Sequence, residues 1–193
     1  MNTQDRTLIT VVSGLPRSGT SLMMSMLESG GLPPLVDHIR EADDDNPRGY
    51  FEFERVKQLK QDQTWLPSAR GRAIKVISAL LAQLPSNERY RVIFMQRNMQ
   101  EILSSQRRML ERRGEPSDKI GDTEMAALFE RHLKQVTGWL AEQSNMSVLF
   151  VDYLRLVQSP REQAGVVNAF LGGWLDENKM AAAVDPTLYR NRA

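Results

Sequence analysis

The sequence of 193 residues contains no cysteine. That absence excludes a disulfide framework, a thiolate metal site and a cysteine nucleophile. An excess of charge is missing too, since 25 Lys and Arg residues stand against 24 Asp and Glu residues. A chain so balanced has no overall basic field, and we expect no nucleic-acid partner.

Long hydrophobic runs are also missing. No apolar stretch approaches the roughly 20 residues of a membrane-spanning helix, and the first six residues are polar rather than like a signal sequence. The sequence therefore predicts a cytoplasmic protein without a membrane span. Its length allows one domain with a sizeable core, and neither a repeat nor a clear boundary divides residues 1–193.

What the sequence does contain, near its start, is a strand followed by a glycine-bounded loop and a helix. The run Leu8-Ile9-Thr10-Val11-Val12 is apolar and β-branched, as in buried strands. Gly14 and Gly19 then stand with four residues between them, which is the spacing of a phosphate-binding loop. The backbone N–H groups of such a loop and the positive end of the helix dipole form an anion site.

This loop departs from the type that binds nucleoside triphosphates. In that type a lysine follows the second glycine and reaches the β- and γ-phosphates. Here Thr20 holds that position, and the cation of the loop is Arg17, inside the turn. We therefore expect the loop to hold an anionic diester or a phosphosulfate. The alternative is an ordinary strand-to-helix turn with incidental glycines.

Three further apolar segments predict strands at 73–77, 90–96 and 147–151, with helical segments between them. Alternating strands and helices indicate an α/β fold: a three-layer P-loop-type domain whose central parallel sheet of four to five strands is flanked by helices. Ligands of such sheets bind beyond the carboxyl ends of the strands. The residues at or just past those ends are Gly14, Ser78, Arg97 and Asp152.

A second strand-to-helix junction, Met95-Gln96-Arg97-Asn98, repeats this geometry. Asn98 is predicted to cap the following helix, with Glu101 as its capping-box partner. Arg97 brings a fork of donors to a helix N-terminus, where the dipole favours negative charge. Ser105 lies two turns further on. Considered alone, the helix also fits a surface helix with a solvated basic face.

Together the two motifs resemble those of the sulfotransferases that use 3′-phosphoadenylyl sulfate (PAPS). The segment Pro16-Arg17-Ser18-Gly19-Thr20-Ser21 is similar to their 5′-phosphosulfate loop. Arg97-Asn98 followed by Ser105 is similar to their 3′-phosphate motif, in which Arg and Ser stand eight apart. The resemblance covers roughly residues 7 to 172 and is closest to the compact bacterial and tyrosylprotein-type branch. Met99 stands where that motif usually has proline.

The resemblance implies in-line transfer of the sulfuryl group of PAPS to a hydroxyl or amine, with adenosine 3′,5′-bisphosphate (PAP) as product and no metal. The implied cofactor-binding residues are Pro16, Arg17, Ser18, Gly19, Thr20, Ser21, Arg97 and Ser105. Arg17 is also implied to be catalytic, because it would stabilise charge on the bridging oxygen or the sulfuryl group. Lys75, at a strand end, is a second catalytic candidate, and a surface charge is its alternative.

The acceptor must lose a proton, so a general base is expected. Related enzymes use a Glu or a His in the segment after the loop helix, and the candidates here are Asp37, His38, Glu41, Asp43 and Glu52. Of these we favour His38 or Glu41. His132, in a long predicted helix, is interpreted as structural.

Two other functions remain open from the sequence. A P-loop kinase or nucleotide hydrolase requires a lysine at position 20 and a magnesium-binding carboxylate at a strand end, a position that Asp152 occupies. A non-catalytic nucleotide-binding protein on the same fold is the other. The acceptor is open as well: a small molecule, a glycan, a lipid or a peptide. The oligomeric state has no sequence signal.

Overall fold

The computed structural model describes residues 5, 7–37, 39, 49–112, 114 and 120–185. Within these ranges, four parallel strands form one sheet in the order β2-β1-β3-β4. The strands are β1 (Ile9–Gly14), β2 (Ala73–Lys75), β3 (Tyr90–Gln96) and β4 (Met146–Asp152). The α-helices are α1 (Thr20–Ser29), α2 (Leu66–Ala69), α3 (Met99–Arg112), α4 (Asp122–Ala141), α5 (Tyr153–Gln158), α6 (Pro160–Leu171) and α7 (Glu177–Ala182). Two 3-10 helices span Glu54–Gln58 and Ser78–Gln83.

The sheet is parallel and covered on both faces, which explains the nearly continuous apolar sequence of its central strands. All six residues of β1 are buried. In the middle of the sheet Val11 pairs with Val92, and Val92 pairs with Val148. The predicted fold class is confirmed, with four strands in the described ranges. None of the helices in those ranges is long and apolar enough to cross a membrane.

Successive side chains of the strands enter two different hydrophobic cores. Val12 and Ile93 pack on the face covered by α1, α5, α6 and α7. Val11 and Val92 pack on the opposite face, against α2, α4 and the two 3-10 helices. Because side chains alternate along a strand, this pattern also decides which face each residue at the carboxyl edge adjoins.

The strand order places a ligand crevice between β1 and β3. The chain passes from β1 to β2 on one side and then crosses to β3 on the other side. The carboxyl ends of β1 and β3 therefore form the point at which the strand order reverses, where open α/β sheets bind their ligands. The β1–α1 loop and the β3–α3 junction both lie at this edge.

Two elements differ from the sequence-based expectation. β2 ends at Lys75 rather than at residue 77, because the chain turns into the 3-10 helix that begins at Ser78. α5 begins at Tyr153, directly after β4, where no helix was predicted. Its six residues are too few to show a helical period in the sequence.

Candidate active site

The β1–α1 loop has a conformation that requires glycine at both of its ends. Gly14 has a φ of 146°, and a Cβ there would lie 2.5 Å from the Ser18 hydroxyl and 2.8 Å from the Met95 carbonyl oxygen. Gly19 has a φ of 100°, and its Cβ would lie 2.4 Å from the Tyr153 ring. These φ values and close approaches exclude a side chain, so the glycines are part of how the loop is built.

The N-terminus of α1 is open for an anion. α1 begins at Thr20, its N-cap Gly19 offers no side-chain acceptor, and the first turn contains no acidic residue. The first N–H groups of a helix have no partner inside the helix, and the dipole there favours negative charge. The Ser18 hydroxyl is buried and has no hydrogen-bond partner within the described part of the chain. A buried hydroxyl without a partner is costly, and a bound anion would provide one.

Arg17 links the loop to the second motif. Its φ of 69° lies in the left-handed region, which is uncommon for a residue with a side chain and recurs at functional sites. Its Nε donates to the hydroxyl of Ser105 at 2.9 Å, across 88 residues of sequence. Ser105 is itself buried. The two motifs that the sequence suggested separately therefore contact each other.

Arg97 is the centre of a buried network beside the same loop. Its Nη1 donates to the carbonyl oxygen of Arg17 at 3.0 Å, and its Nε donates to a carboxylate oxygen of Glu101 at 2.8 Å. The side chains of Arg97 and Glu101 are only 7% and 6% exposed. The guanidinium carbon also lies 4.3 Å from the centroid of the Tyr153 ring. These contacts fix the guanidinium at the carboxyl end of β3, against the loop.

The start of α3 confirms one prediction and adds a contact. The side-chain oxygen of Asn98 accepts from the N–H groups of Gln100 at 2.8 Å and Glu101 at 3.3 Å, so Asn98 caps the helix as predicted. Met99 is the first helical residue, so α3 starts here without the usual proline. The contact of the Glu101 carboxylate with Arg97 was not predicted, and it lowers the net positive charge of the second motif.

Tyr153 is the residue of this site that the sequence analysis missed. Its ring packs against Gly19 on the loop and against the guanidinium of Arg97. Burial raises the pKa of Tyr153 above its ordinary value of 10.0, so the phenol stays neutral near pH 7. A signal was available, because Tyr153 directly follows the carboxyl end of β4, where ligand-facing residues are expected.

Lys75 lies beside the start of α1 in a largely buried position. Its Nζ is 3.4 Å from the Ser21 hydroxyl and donates to the carbonyl oxygen of Tyr50. Glu52 lies 3.9 Å from the same Nζ, and the Lys75 side chain is 9% exposed. Phe51, between these two contacts, has a left-handed φ of 51°. The segment after α1 is thus tied to the loop through Lys75, which a solvated surface lysine would not do.

The predicted base candidates fall into two groups. Those that lie outside the described residues are His38, Glu41 and Asp43. Asp37 is described, and its carboxylate accepts from the backbone N–H groups of Glu54 at 2.5 Å and Ile39 at 3.2 Å. Asp37 therefore shapes the chain locally, and Glu52 is the described candidate that the fold brings to Lys75.

Two other residues that the sequence analysis named, Asp152 and His132, also have partners. The carboxylate of Asp152, the candidate magnesium ligand, accepts from the N–H of Arg155 at 2.8 Å and caps α5. The Nε2 of His132 lies 2.8 Å from the hydroxyl of Ser78. In the described ranges, no group of three or more His, Asp or Glu residues could hold a metal ion.

The model of the family described as "Sulfotransferase domain" matches residues 9–191. Among solved structures, the sulfotransferase domain of the olefin synthase of Synechococcus PCC 7002 is similar at 15% identity and a TM-score of 0.57, over 100% of this chain and 90% of that one. The sulfotransferase domain from the curacin biosynthetic pathway is similar at 13% identity and a TM-score of 0.54, over 96% and 91%.

A third solved structure is retinol dehydratase in complex with androsterone and the inactive cofactor PAP. It is 13% identical with a TM-score of 0.50, and the similarity covers 94% of this chain and 64% of that one. Likeness at such low identities concerns the fold alone. No curated protein matches the chain by sequence.

Proposed function

This chain belongs to the sulfotransferase domain family, and we propose that it binds the donor PAPS between the β1–α1 loop and the start of α3. Membership of the family makes the chain an enzyme of sulfuryl transfer. The observation that carries the proposal is the contact between the two motifs. Arg17 reaches Ser105 at 2.9 Å, and Arg97 reaches the Arg17 carbonyl at 3.0 Å. A nucleotide with phosphates on its 5′ and 3′ sides needs two adjacent anion sites of this kind. The fold shared with retinol dehydratase, whose complex contains PAP, supports this reading.

The 5′-phosphosulfate is assigned to the loop and the first turn of α1. The residues are Pro16, Arg17, Ser18, Gly19, Thr20 and Ser21. The open helix N-terminus and the buried Ser18 hydroxyl without a partner in the described ranges both fit an anion there. The 3′-phosphate is assigned to Arg97 and Ser105, because a guanidinium fork and a hydroxyl suit phosphate oxygens. When bound, PAPS supplies an activated sulfuryl group for in-line transfer to a hydroxyl or amine.

Catalysis by these residues is mainly electrostatic. Positive groups fixed before the reaction stabilise the charge that develops in the transition state without reorganising at that moment. We assign this role to Arg17, at the bridging oxygen or the sulfuryl group, and to Lys75, which the Tyr50 carbonyl and Glu52 hold beside Ser21. We propose that this set acts without a metal ion.

The single domain and the cytoplasmic location stay predictions.

The kinase alternative gains no support from the fold or from the family match. The lysine that it needs is replaced by Thr20, and Asp152 caps a helix. A binding experiment separates these possibilities. Ligand at about a hundred times its Kd stabilises a protein by roughly 2.7 kcal/mol. For a chain of this length, that corresponds to a rise of about 5–10 °C in Tm.

We expect that rise with PAP, a much smaller one with adenosine 5′-monophosphate (AMP), and transfer of label from sulfur-labelled PAPS to an acceptor in a metabolite extract. A larger rise with ATP and magnesium than with PAP would contradict the proposal. Binding of PAP without any transfer of label would instead favour the non-catalytic alternative.

A further inference from the structure

Ser78 and His132 form a polar pair that the proposed donor site does not use. The Nε2 of His132 lies 2.8 Å from the Ser78 hydroxyl, across 54 residues of sequence. Ser78 is buried, whereas His132 is partly exposed. The pair stands between the 3-10 helix after β2 and the middle of α4. An imidazole that is held by one nitrogen and is reachable from solvent can accept a proton through its other nitrogen.

The pair lies at the carboxyl ends of the strands, on the same side of the sheet as the β1–α1 loop. The N–H of Val76 donates to the carbonyl oxygen of Val12 at 3.0 Å, so the pairing with β1 continues past β2. Ser78 follows two residues later, level with the start of the loop. Ser13, the residue before Gly14, points to the same face as Val11, where α4 packs. Its buried hydroxyl has no partner among the residues that the structure describes.

α4 extends beyond this edge and brings apolar surface with it. Its C-terminal end lies at the amino edge of the sheet, because the N–H of Tyr90 donates to the carbonyl of Asn145, just after the helix. The residues before His132 therefore lie progressively farther past the carboxyl edge. Leu128, four residues before His132 and on the same face of the helix, is 41% exposed. Ile77, next to Ser78, is 42% exposed.

From this arrangement we propose that His132 is the general base of the transfer, and that the acceptor is a hydroxyl carried on an apolar body that rests on Ile77 and Leu128. This inference rests on the proposed sulfuryl transfer. The Nε2–H of His132 donates to Ser78, which leaves Nδ1 to accept the proton of the acceptor hydroxyl. The acceptor oxygen bonds to sulfur while the bond from sulfur to the 5′-phosphate oxygen breaks. That electron pair leaves with PAP, and His132 releases the proton to solvent.

The described carboxylate that competes for this role is Glu52. It faces Lys75 at 3.9 Å and holds that cation beside Ser21. Glu52 is therefore assigned to positioning Lys75. The proposal also replaces the structural interpretation of His132. Its imidazole is partly exposed and contacts the buried Ser78 hydroxyl through Nε2, so Nδ1 is the nitrogen that can accept a proton.

Two acceptors of similar size test the base directly. 4-Nitrophenol is already ionised at mildly alkaline pH and needs no base, whereas benzyl alcohol must lose a proton during the reaction. We expect the wild-type enzyme to release PAP from PAPS with both. Glutamine places an amide where Nε2 stood, so His132→Gln keeps the hydrogen bond to Ser78 but removes the base. We expect it to lower kcat for benzyl alcohol by about 100-fold or more and to affect 4-nitrophenol much less.

The controls separate a base from a structural residue. Glu130→Gln changes an exposed neighbour on α4, and both rates are expected to stay at the wild-type level. The Tm and PAP affinity of His132→Gln are also expected to match the wild type. Leu128→Ser is expected to raise KM for benzyl alcohol without changing PAP affinity. The chain has 2 histidines, so NMR of the imidazole nitrogens in a His38→Gln background observes His132 alone. We expect the neutral form protonated at Nε2, with the Nδ1 resonance shifted by benzyl alcohol.

Several results would overturn the inference. Equal losses for the two acceptors in His132→Gln would exclude a base, and so would an imidazole protonated at Nδ1. A selective loss with benzyl alcohol in His38→Gln rather than in His132→Gln would move the base to the other histidine. Turnover of neither acceptor by the wild type would refute the apolar acceptor site. In each case PAP binding tells the failures apart, because its absence would also refute the proposed donor site.

Discussion

Replacing Arg97 tests the proposed donor site most sharply, because the proposal has its guanidinium bind the 3′-phosphate while the same group holds the β1–α1 loop through the Arg17 carbonyl. Arg97→Met keeps much of the apolar stem of the side chain and removes its charge. A hydrogen bond to a charged group contributes about 1.5–3 kcal/mol. Since about 1.4 kcal/mol is tenfold in affinity, PAP is expected to bind roughly 10- to 100-fold more weakly. AMP has no 3′-phosphate, so its affinity is expected to fall much less than that of PAP.

The same change also has a cost in stability. Arg97 and Glu101 are a buried pair at 2.8 Å, and removing one partner leaves the other charge buried alone. Such a loss typically costs about 3–5 kcal/mol, or a fall of about 6–20 °C in Tm for a chain of this size. The double variant Arg97→Met/Glu101→Gln removes the orphaned charge and is expected to recover most of that loss. It still lacks the contact with the 3′-phosphate, so the double variant separates the effect on PAP affinity from the effect on stability.

The assay is isothermal titration calorimetry of PAP and AMP at fixed ionic strength, with Tm measured on the same samples. Arg108→Met serves as the matched control, because Arg108 is exposed on the same helix. We expect it to change neither ligand preference nor Tm appreciably. A folded double variant that still preferred PAP over AMP as strongly as the wild type would show that the second motif does not bind the 3′-phosphate.

Three further predictions follow from the loop and its neighbours. Arg17→Ala is expected to lower kcat far more than PAP affinity, because its proposed role is to stabilise charge in the transition state; equal losses in single-turnover and binding measurements would contradict that role. Gly19→Ala is expected to be less stable than Gly31→Ala by about 1–3 kcal/mol in urea unfolding. Both glycines have φ values near 100°, but an added Cβ would meet the Tyr153 ring at Gly19 and would meet nothing within 4 Å at Gly31. Equal stabilities of the two variants would contradict the close packing of the loop against the ring. Tyr153→Phe is expected to reduce the fall in Tm at alkaline pH. The pKa of Tyr153 is raised in the folded state, so its contribution to stability is complete below the unfolded-state pKa of 10.0 and is lost as pH rises through the folded-state pKa. Identical plots of Tm against pH for the variant and the wild type would contradict this linkage.

The fold was largely predictable because its determinants are local. The strands at 90–96 and 147–151 are runs of apolar residues that a covered parallel sheet requires, and the structure has them at Tyr90–Gln96 and Met146–Asp152. The failures have local causes as well. β2 stops at Lys75 because a 3-10 helix takes over at Ser78, and α5 is too short to have a period.

The site was predictable in part only. Asn98 was predicted as a cap, and it is one, because capping depends on the backbone nearby. The contact of Arg17 with Ser105 joins residues 88 positions apart, and no pattern in one sequence gives the distance between them. The ion pair of Glu101 with Arg97 was missed for a different reason. The spacing of Glu101 fitted a capping box, and the same spacing also allows an i,i+4 pair.

This division explains why the sequence offers more signal for the proposed donor half of the site than for the acceptor half. A loop that holds phosphate uses backbone N–H groups, a helix dipole and glycines with positive φ, and these are properties of consecutive residues. A base for the acceptor has to be assembled from side chains on separate elements. The pair of Ser78 and His132, 54 residues apart, illustrates the point. Its proposed chemistry therefore depends on how α4 packs on the sheet, and variants that shift α4 are expected to impair the acceptor reaction before they impair donor binding.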